Sequence, residues 1–282
     1  MSSPDVHATG HFFHNRNWID AHFRSVPNEI ANFFEGDGIS LQGAKILDIG
    51  TGDGLIALGL TVRANCTVIG IDPLALNIEW LKANAPLTET DFDNARFSFF
   101  QAPSNDWSFL PGDFDFAISW SAGEHFENFS EVTHSIHRAL KPGGKYFFQT
   151  YPLWKSRWGH HLFEWVPEFF HIGKDVTEIY NYLENLRQTP KPLKLNSGEE
   201  SDLLEVILED RMLSKENWLQ LCVDSLNSCN QMGLDEMLSL IEVCGFKIAK
   251  AEYITGGFHL PPNLPFEVSR GIEGVKLIAN RL

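Results

Sequence analysis

An acid that closes an apolar run, followed by glycines at alternate positions, brings polypeptide backbone against a ligand, and ILDIGTGDG at Ile46 to Gly54 has that order. Asp48 lies in the run KILDIG, and Gly50, Gly52 and Gly54 lead into a helical stripe of Leu55, Ile56, Leu58 and Val62. Glycine tolerates left-handed backbone and close approach, and the N–H groups exposed where a helix begins hydrogen-bond polar or anionic groups. A second acid, Asp72, closes the next apolar run, TVIGID, with Pro73 after it. Its two carboxylate oxygens suit the two hydroxyls of a ribose. Two strand-ending acids around a glycine turn therefore predict an adenosyl ligand. A nicotinamide site is the competing reading, but G-x-G-x-x-G places its third glycine three residues after the second, where this chain has Leu55.

The titratable candidates come later in the chain. Glu124 and His125 follow the fourth apolar run, at the carboxyl edge where open α/β sheets bind their ligands. His160 and His161, in WGHHLFEW, reach the same edge if their segment folds over it. Each of the three histidines is a candidate general base, and Glu124 a candidate beside them. The alternative is structural: Glu124 caps a helix, His125 bonds a loop carbonyl, and His160 and His161 tie a lid down. A divalent cation shared by these four is a further reading, but no spacing such as H-E-x-x-H supports it, and no metal is assigned. His134 and His137 fall off the Val132–Ile136 stripe of their helix and read as surface residues. Trp120, Trp154, Trp158 and Trp165 either stack on a flat acceptor or pack the lid.

Positioning these residues requires alternating strands and helices. Five strand-like runs, KILDIG, TVIGID, ARFSFFQ, FDFAIS and KYFFQTY, alternate with helical patterns up to Thr150, the signature of βαβ units and a parallel sheet. Asn128 with Glu131 three residues on marks a helix start, and KPGG at Lys141 to Gly144 its end. A helix from Leu234 to Val243 and the strands FKIAKAEYI and VKLIAN complete the pattern. The expected fold is α/β: a doubly wound, mostly parallel seven-stranded sheet with an N-terminal helical cap at 1–43, a core at 44–151 and 232–282, and a lid inserted at 152–231. The acidic stretch from Glu199 to Asp210 reads as a solvated face of that lid.

Composition narrows the function. A net charge of −15 over 282 residues works against binding nucleic acid through its phosphates. No window approaches the roughly 20 apolar residues of a membrane span, and the N-terminus lacks the basic and apolar regions of a signal peptide. Cys66, Cys222, Cys229 and Cys244 lack C-x-x-C spacing and read as reduced cytosolic thiols. A soluble cytoplasmic protein with a small-molecule partner is expected.

ILDIGTGDG, GIDP at Gly70 to Pro73, SWSAGEHF after strand four and LKPGGKYFF together make the chain resemble the class I S-adenosylmethionine-dependent methyltransferases, over about Lys45 to Thr150 and the final helix and strands. The resemblance implies a Rossmann-like fold whose last strand runs antiparallel. It implies S-adenosylmethionine as cofactor, with Asp48, Gly50, Thr51, Gly52 and Gly54 around its methionine end and Asp72 and Pro73 at its ribose. Ser119 would contribute from strand four. Where many relatives carry an acid for the adenine amino group, this chain reads FFQAPSND, so the backbone N–H of Ala102, or Asn105 or Asp106, is the expected adenine contact. The implied activity is direct in-line methyl transfer to a small organic acceptor, a hydroxyl first, then an amine, then a carbon. A catalytically silent cofactor-binding subunit and an NAD-dependent oxidoreductase are the rival readings.

Overall fold

The computed structural model describes residues 16–84, 92, 95–103, 107–162, 165–189, 192–194, 200–202, 214–256 and 271–282. Five parallel strands form first: β1 (Lys45–Ile49), β2 (Thr67–Asp72), β3 (Phe97–Gln101), β4 (Phe114–Trp120) and β5 (Leu140–Thr150). Two more, β8 (Phe246–Thr255) and β9 (Ile272–Arg281), complete a seven-stranded sheet in the order β3-β2-β1-β4-β5-β9-β8. β9 pairs antiparallel to β5, from Lys145 opposite Asn280 to Thr150 opposite Val275, as the family resemblance implied. Strand order reverses between β1 and β4, whose register sets Asp48 beside Ile118. Open α/β sheets bind ligands at the carboxyl ends of the strands at such a switch point.

Two compact units divide the chain, one of Met1–Tyr151, Leu234–Ile254 and Gly274–Leu282, the other of Pro152–Gly233 and Thr255–Glu273. In the first, α3 (Leu55–Arg63), α4 (Ile78–Asn84), α5 (Phe129–Ala139) and α8 (Leu234–Val243) accompany the sheet. Asn128 caps α5 by accepting the Glu131 N–H at 3.2 Å. The N-terminal helices are continuous, α1 (Arg16–Asp20) passing through a π-helical turn (Ala21–Ser25) into α2 (Val26–Glu35). These are the helices expected at the N-terminus, and they belong to the same unit as the sheet. Phe34 meets Phe116 at 5.1 Å and Phe33 meets Phe147 at 5.5 Å in the sheet's own core. A Cβ on Gly59 of α3 would lie 2.1 Å from the Phe23 carbonyl oxygen, so that glycine lets the π-helical turn lie flush on the helix behind β1.

The second unit contains α6 (Val176–Gln188), the antiparallel pair β6 (Pro192–Lys194) and β7 (Glu200–Asp202), and α7 (Lys215–Ser228). Asp175 and Glu178 close a capping box at the start of α6, and Trp165 packs edge-on to Trp218 of α7 at 5.2 Å. The unit reaches beyond the expected 152–231. Residues 255–273, assigned to the core from sequence, belong to it, because Glu273 accepts the Leu153 N–H on its carbonyl and the Arg157 Nε–H on its carboxylate, both at 2.8 Å. Apart from β7, the stretch from Glu199 to Asp210 lies outside the described residues, as do Asn105 and Asp106.

His134 is exposed as expected, whereas His137 is half-buried, its ring edge-on to Phe246 at 5.3 Å, and that burial lowers its pKa. All four cysteines are buried free thiols. Among the described residues no helix is long and apolar enough to cross a membrane.

Candidate active site

The turn after β1 carries φ of +72° at Gly50, +54° at Gly52 and +79° at Gly54, the left-handed backbone that its glycines predict. It is stitched to β2 by the Gly50 and Thr51 N–H groups, which both donate to the Ile71 carbonyl at 2.9 and 3.2 Å. Asp48 supports it from beneath, its carboxylate accepting the Thr51 hydroxyl at 2.6 Å. Burial, with the charges of Asp72 and Asp53 adding to it, pushes the Asp48 carboxyl up to about 7. A Cβ on Gly50 would come within 2.5 Å of the Ala122 Cβ, whereas one on Gly52 would meet nothing nearer than the Gly50 oxygen at 4.0 Å. Gly50 is closed by protein; Gly52 faces open space.

Asp72 closes this arrangement from β2. Its Oδ2 accepts the Gly52 N–H at 3.0 Å and its Oδ1 the Leu74 N–H at 2.9 Å, so the carboxylate orients the glycine turn. A carboxylate has about four acceptor sites in all, so taking these two N–H groups is compatible with accepting ligand hydroxyls as well. Pro73, exposed, accepts the Gln101 amide N–H on its carbonyl at 3.1 Å. Sequence reasoning passed over Asp53, whose Oδ1 accepts the Leu55 N–H at 3.0 Å as α3 begins while its Oδ2 accepts the Trp18 indole N–H at 2.9 Å. An aspartate that bonds the N–H two residues on forms an Asx-type turn, and one just before a helical stripe was legible as a turn signal. Its pairing with Trp18, 35 residues away, was not.

Two expected contacts need correction. The Ala102 N–H donates to the Asp72 carbonyl at 3.0 Å, extending the β2–β3 ladder, so it is committed before any adenine arrives. Ser119 lies inside β4 with no exposed surface, beside Tyr146, so its side chain does not reach the sheet edge. The polar groups that reach the sheet edge come one turn later.

There a short 3-10 turn, Gly123–His125, follows β4. Glu124 is buried, with Oε2 accepting the Thr150 hydroxyl at 2.8 Å, and burial pushes its carboxyl up to about 7 against the lowering effect of its hydrogen bonds. His125 is exposed beside it. A buried carboxyl titrating near neutrality at the carboxyl edge of a sheet is the kind of perturbed group that collects at functional sites.

The histidines of the second unit differ from one another. His160 is fully buried, its Nδ1 accepting the Leu162 N–H at 2.9 Å and its Nε2–H donating to the Pro167 carbonyl at 3.3 Å. Both nitrogens are occupied, which corrects its expected role as a base. His161 has φ of +58°, and its Nδ1 lies 3.0 Å from the Gly159 carbonyl. A carbonyl only accepts, so Nδ1 bears the proton and Nε2 is the basic nitrogen. Cys229 Sγ also lies 3.0 Å from that Nδ1.

His171 stands 4.9 Å from His160, ring to ring, and donates from Nε2 to the Trp154 carbonyl at 2.6 Å. Burial lowers both pKa values, that of His160 to about 3. A depressed histidine contributes stability that is complete above the unfolded value near 6.5 and is lost as the pH falls below it. Acidification from pH 7 to pH 5 should therefore reduce hydrogen-exchange protection, corrected for intrinsic rates, in α6 and α7. Unchanged protection would mean that neither imidazole gains a proton on opening.

A methyltransferase domain family model matches residues 18–184. A ubiquinone biosynthesis O-methyltransferase of Bartonella bacilliformis is 31% identical over 211 residues, covering 66% of this chain and 82% of that protein. One from Dechloromonas aromatica is 35% identical over 115 residues, 40% of this chain. The chain spans about half the length of such curated relatives in several matches, 46% in the Dechloromonas case. A solved S-adenosylmethionine-dependent methyltransferase from Mesorhizobium loti superposes with a TM-score of 0.50 at 17% identity, covering 89% of this chain and 96% of that one, a likeness of fold.

Proposed function

Since the chain belongs to the methyltransferase-domain family, we propose that it transfers a methyl group from S-adenosylmethionine to a small organic acceptor, with a hydroxyl oxygen as the preferred accepting atom. The observation that carries this reading is the glycine turn itself. Gly52 presents left-handed backbone to open space while its N–H is held by Asp72, the carboxylate that in this reading accepts the ribose hydroxyls. The residues present fit the cofactor: Gly52, open above, would lie against its methionine portion, Gly50 and Thr51 would shape that turn through their bonds to the Ile71 carbonyl, and Asp72 would hold its ribose. S-adenosylmethionine, when bound, supplies a methyl group already activated on a sulfonium. The protein need only align the acceptor, exclude water and take up a proton.

His125, exposed at the sheet edge, is assigned as the proton acceptor, beside the buried Glu124 carboxyl. The preference for oxygen draws on the ubiquinone O-methyltransferases at about 30% identity, and free thiols at all four cysteines support a cytosolic setting.

Thermal shifts with S-adenosylmethionine, S-adenosylhomocysteine and NAD test the cofactor. A ligand at 100 times its dissociation constant adds about 2.7 kcal/mol, so the two sulfur ligands should raise the melting temperature and NAD should not. Stabilisation by NAD alone would replace this reading with an oxidoreductase. Production of S-adenosylhomocysteine from a panel of phenols, amines and carbon acids then identifies the acceptor. With that acceptor, His125→Ala should lower turnover by about tenfold or more and leave S-adenosylhomocysteine affinity unchanged. Full activity in that variant would remove His125 from the mechanism, and no turnover with any acceptor beside normal cofactor binding would favour a silent subunit.

A further inference from the structure

Ser121, the first residue after β4, has φ of +48°, a conformation unfavourable for a side chain other than glycine, asparagine or aspartate. Something must hold it there. The Ser121 N–H donates to the Gln149 side-chain oxygen at 2.8 Å and shares itself with the Gln149 carbonyl at 3.1 Å, while the Ser121 hydroxyl donates to the same side-chain oxygen at 3.0 Å. Gln149 is buried in β5, 4% exposed, where a polar side chain is retained only if its hydrogen bonds are made. The next residue along β5, Thr150, donates to Glu124. Consecutive residues of one strand thus grip both ends of the turn.

What the turn positions follows from its contacts. Ala122 projects its Cβ to where a Cβ on Gly50 would be, and Gly123 lies so close to the Phe148 ring that an added Cβ would be 2.2 Å from it. Neither contact survives if Ser121 relaxes to an ordinary φ, since the chain direction through Ala122 and Gly123 would change. We infer that Gln149 is a positioning residue for this site: by holding Ser121 left-handed, it sets Ala122 against the glycine turn and Glu124 in its buried place. The consequence for cofactor binding rests on the function proposed above; the consequence for Glu124 does not.

Gln149→Leu keeps the bulk and removes the side-chain acceptor of both Ser121 bonds, leaving only the backbone carbonyl at 3.1 Å. Ser121→Val acts from the exposed end of the same contact, where no core packing is at risk, by placing a β-branched residue at positive φ. Each should lower S-adenosylhomocysteine affinity, measured by calorimetry, by about tenfold. Ser121→Gly in the Gln149→Leu background should restore it to within about threefold, because glycine adopts that φ without help. A destabilised sheet would not be repaired by an exposed glycine. In parallel, ¹³C NMR of the glutamate carboxyls follows Glu124 without any cofactor. Its titration, near 7 in the unaltered protein, should move toward the ordinary carboxylate range in Gln149→Leu and return in the double variant. A Glu124 titration unmoved in both Gln149→Leu and Ser121→Val overturns the inference. If the unaltered protein fails to bind S-adenosylhomocysteine, the reading of the glycine turn fails instead, and Glu124 alone decides the role of Gln149.

Discussion

Asp72→Ala should reduce affinity for S-adenosylhomocysteine by about a hundredfold to a few thousandfold, the largest loss expected from any single side chain around the glycine turn. Two effects combine. The carboxylate offers acceptor lone pairs to a ligand diol, and hydrogen bonds to a charged group contribute about 1.5–3 kcal/mol each. The same carboxylate receives the Gly52 and Leu74 N–H groups at 3.0 and 2.9 Å, so its removal also releases the turn that must hold the rest of the ligand. Asp72→Asn separates the two, because the amide keeps one acceptor oxygen for one N–H but loses the charge and the second acceptor. It should fall between, at about tenfold, with the melting temperature of the free protein little altered. Calorimetry with both variants decides it, and an affinity that survives Asp72→Ala would place the ribose elsewhere.

The frame of this site was legible because it depends on local rules. Strand, glycine turn and helix at 45–63 and the second acid at Asp72 follow from short-range pattern, the antiparallel last strand from the family resemblance, and the structure has all of them. What was not legible depends on which partner a group finds across the fold. The Ala102 N–H looks available from sequence, yet the register of β3 on β2 delivers it to the Asp72 carbonyl. His160 and His161 are adjacent and alike on paper, but nearby backbone groups occupy both nitrogens of one and fix the tautomer of the other. Gln149 carries no local signal at all, a polar residue in the apolar run KYFFQTY whose role appears only when Ser121 of a neighbouring strand end is found at positive φ. The second unit exceeded its expected boundary for the same reason, since the ion pair of Glu273 with Arg157 joins residues 116 apart.

Asp48 and Glu124 should make the protein less stable as the pH rises from about 4.5 to 7. In the fold both carboxyls are held near 7 by burial, against ordinary values of 3.8 and 4.5. Below about pH 3 both states carry the protons and the groups cost nothing. Across the window above, the unfolded chain has released them and the fold has not, so folding must take up protons and stability declines with pH, levelling off once both carboxyls ionise in the fold. At about 1.4 kcal/mol for each pH unit separating folded from unfolded titration, each group accounts for a few kcal/mol. The buried histidines act with the opposite sign, weakening the protein as pH falls below about 6.5. Asp48→Asn with Glu124→Gln should therefore flatten the decline between pH 5 and 8 and raise the midpoint of urea unfolding at pH 8, while leaving the acid-side loss in place. The gain would come at the expense of function, since an ammonium-bearing ligand near Asp48 favours the ionised carboxylate. Binding of S-adenosylhomocysteine at pH 6 should release a proton, detected as a dependence of the calorimetric heat on buffer ionisation enthalpy, and Asp48→Asn should abolish that dependence. A double variant whose stability still declines between pH 5 and 8 would show that other carboxyls carry the titration and that Asp48 and Glu124 ionise normally in the fold.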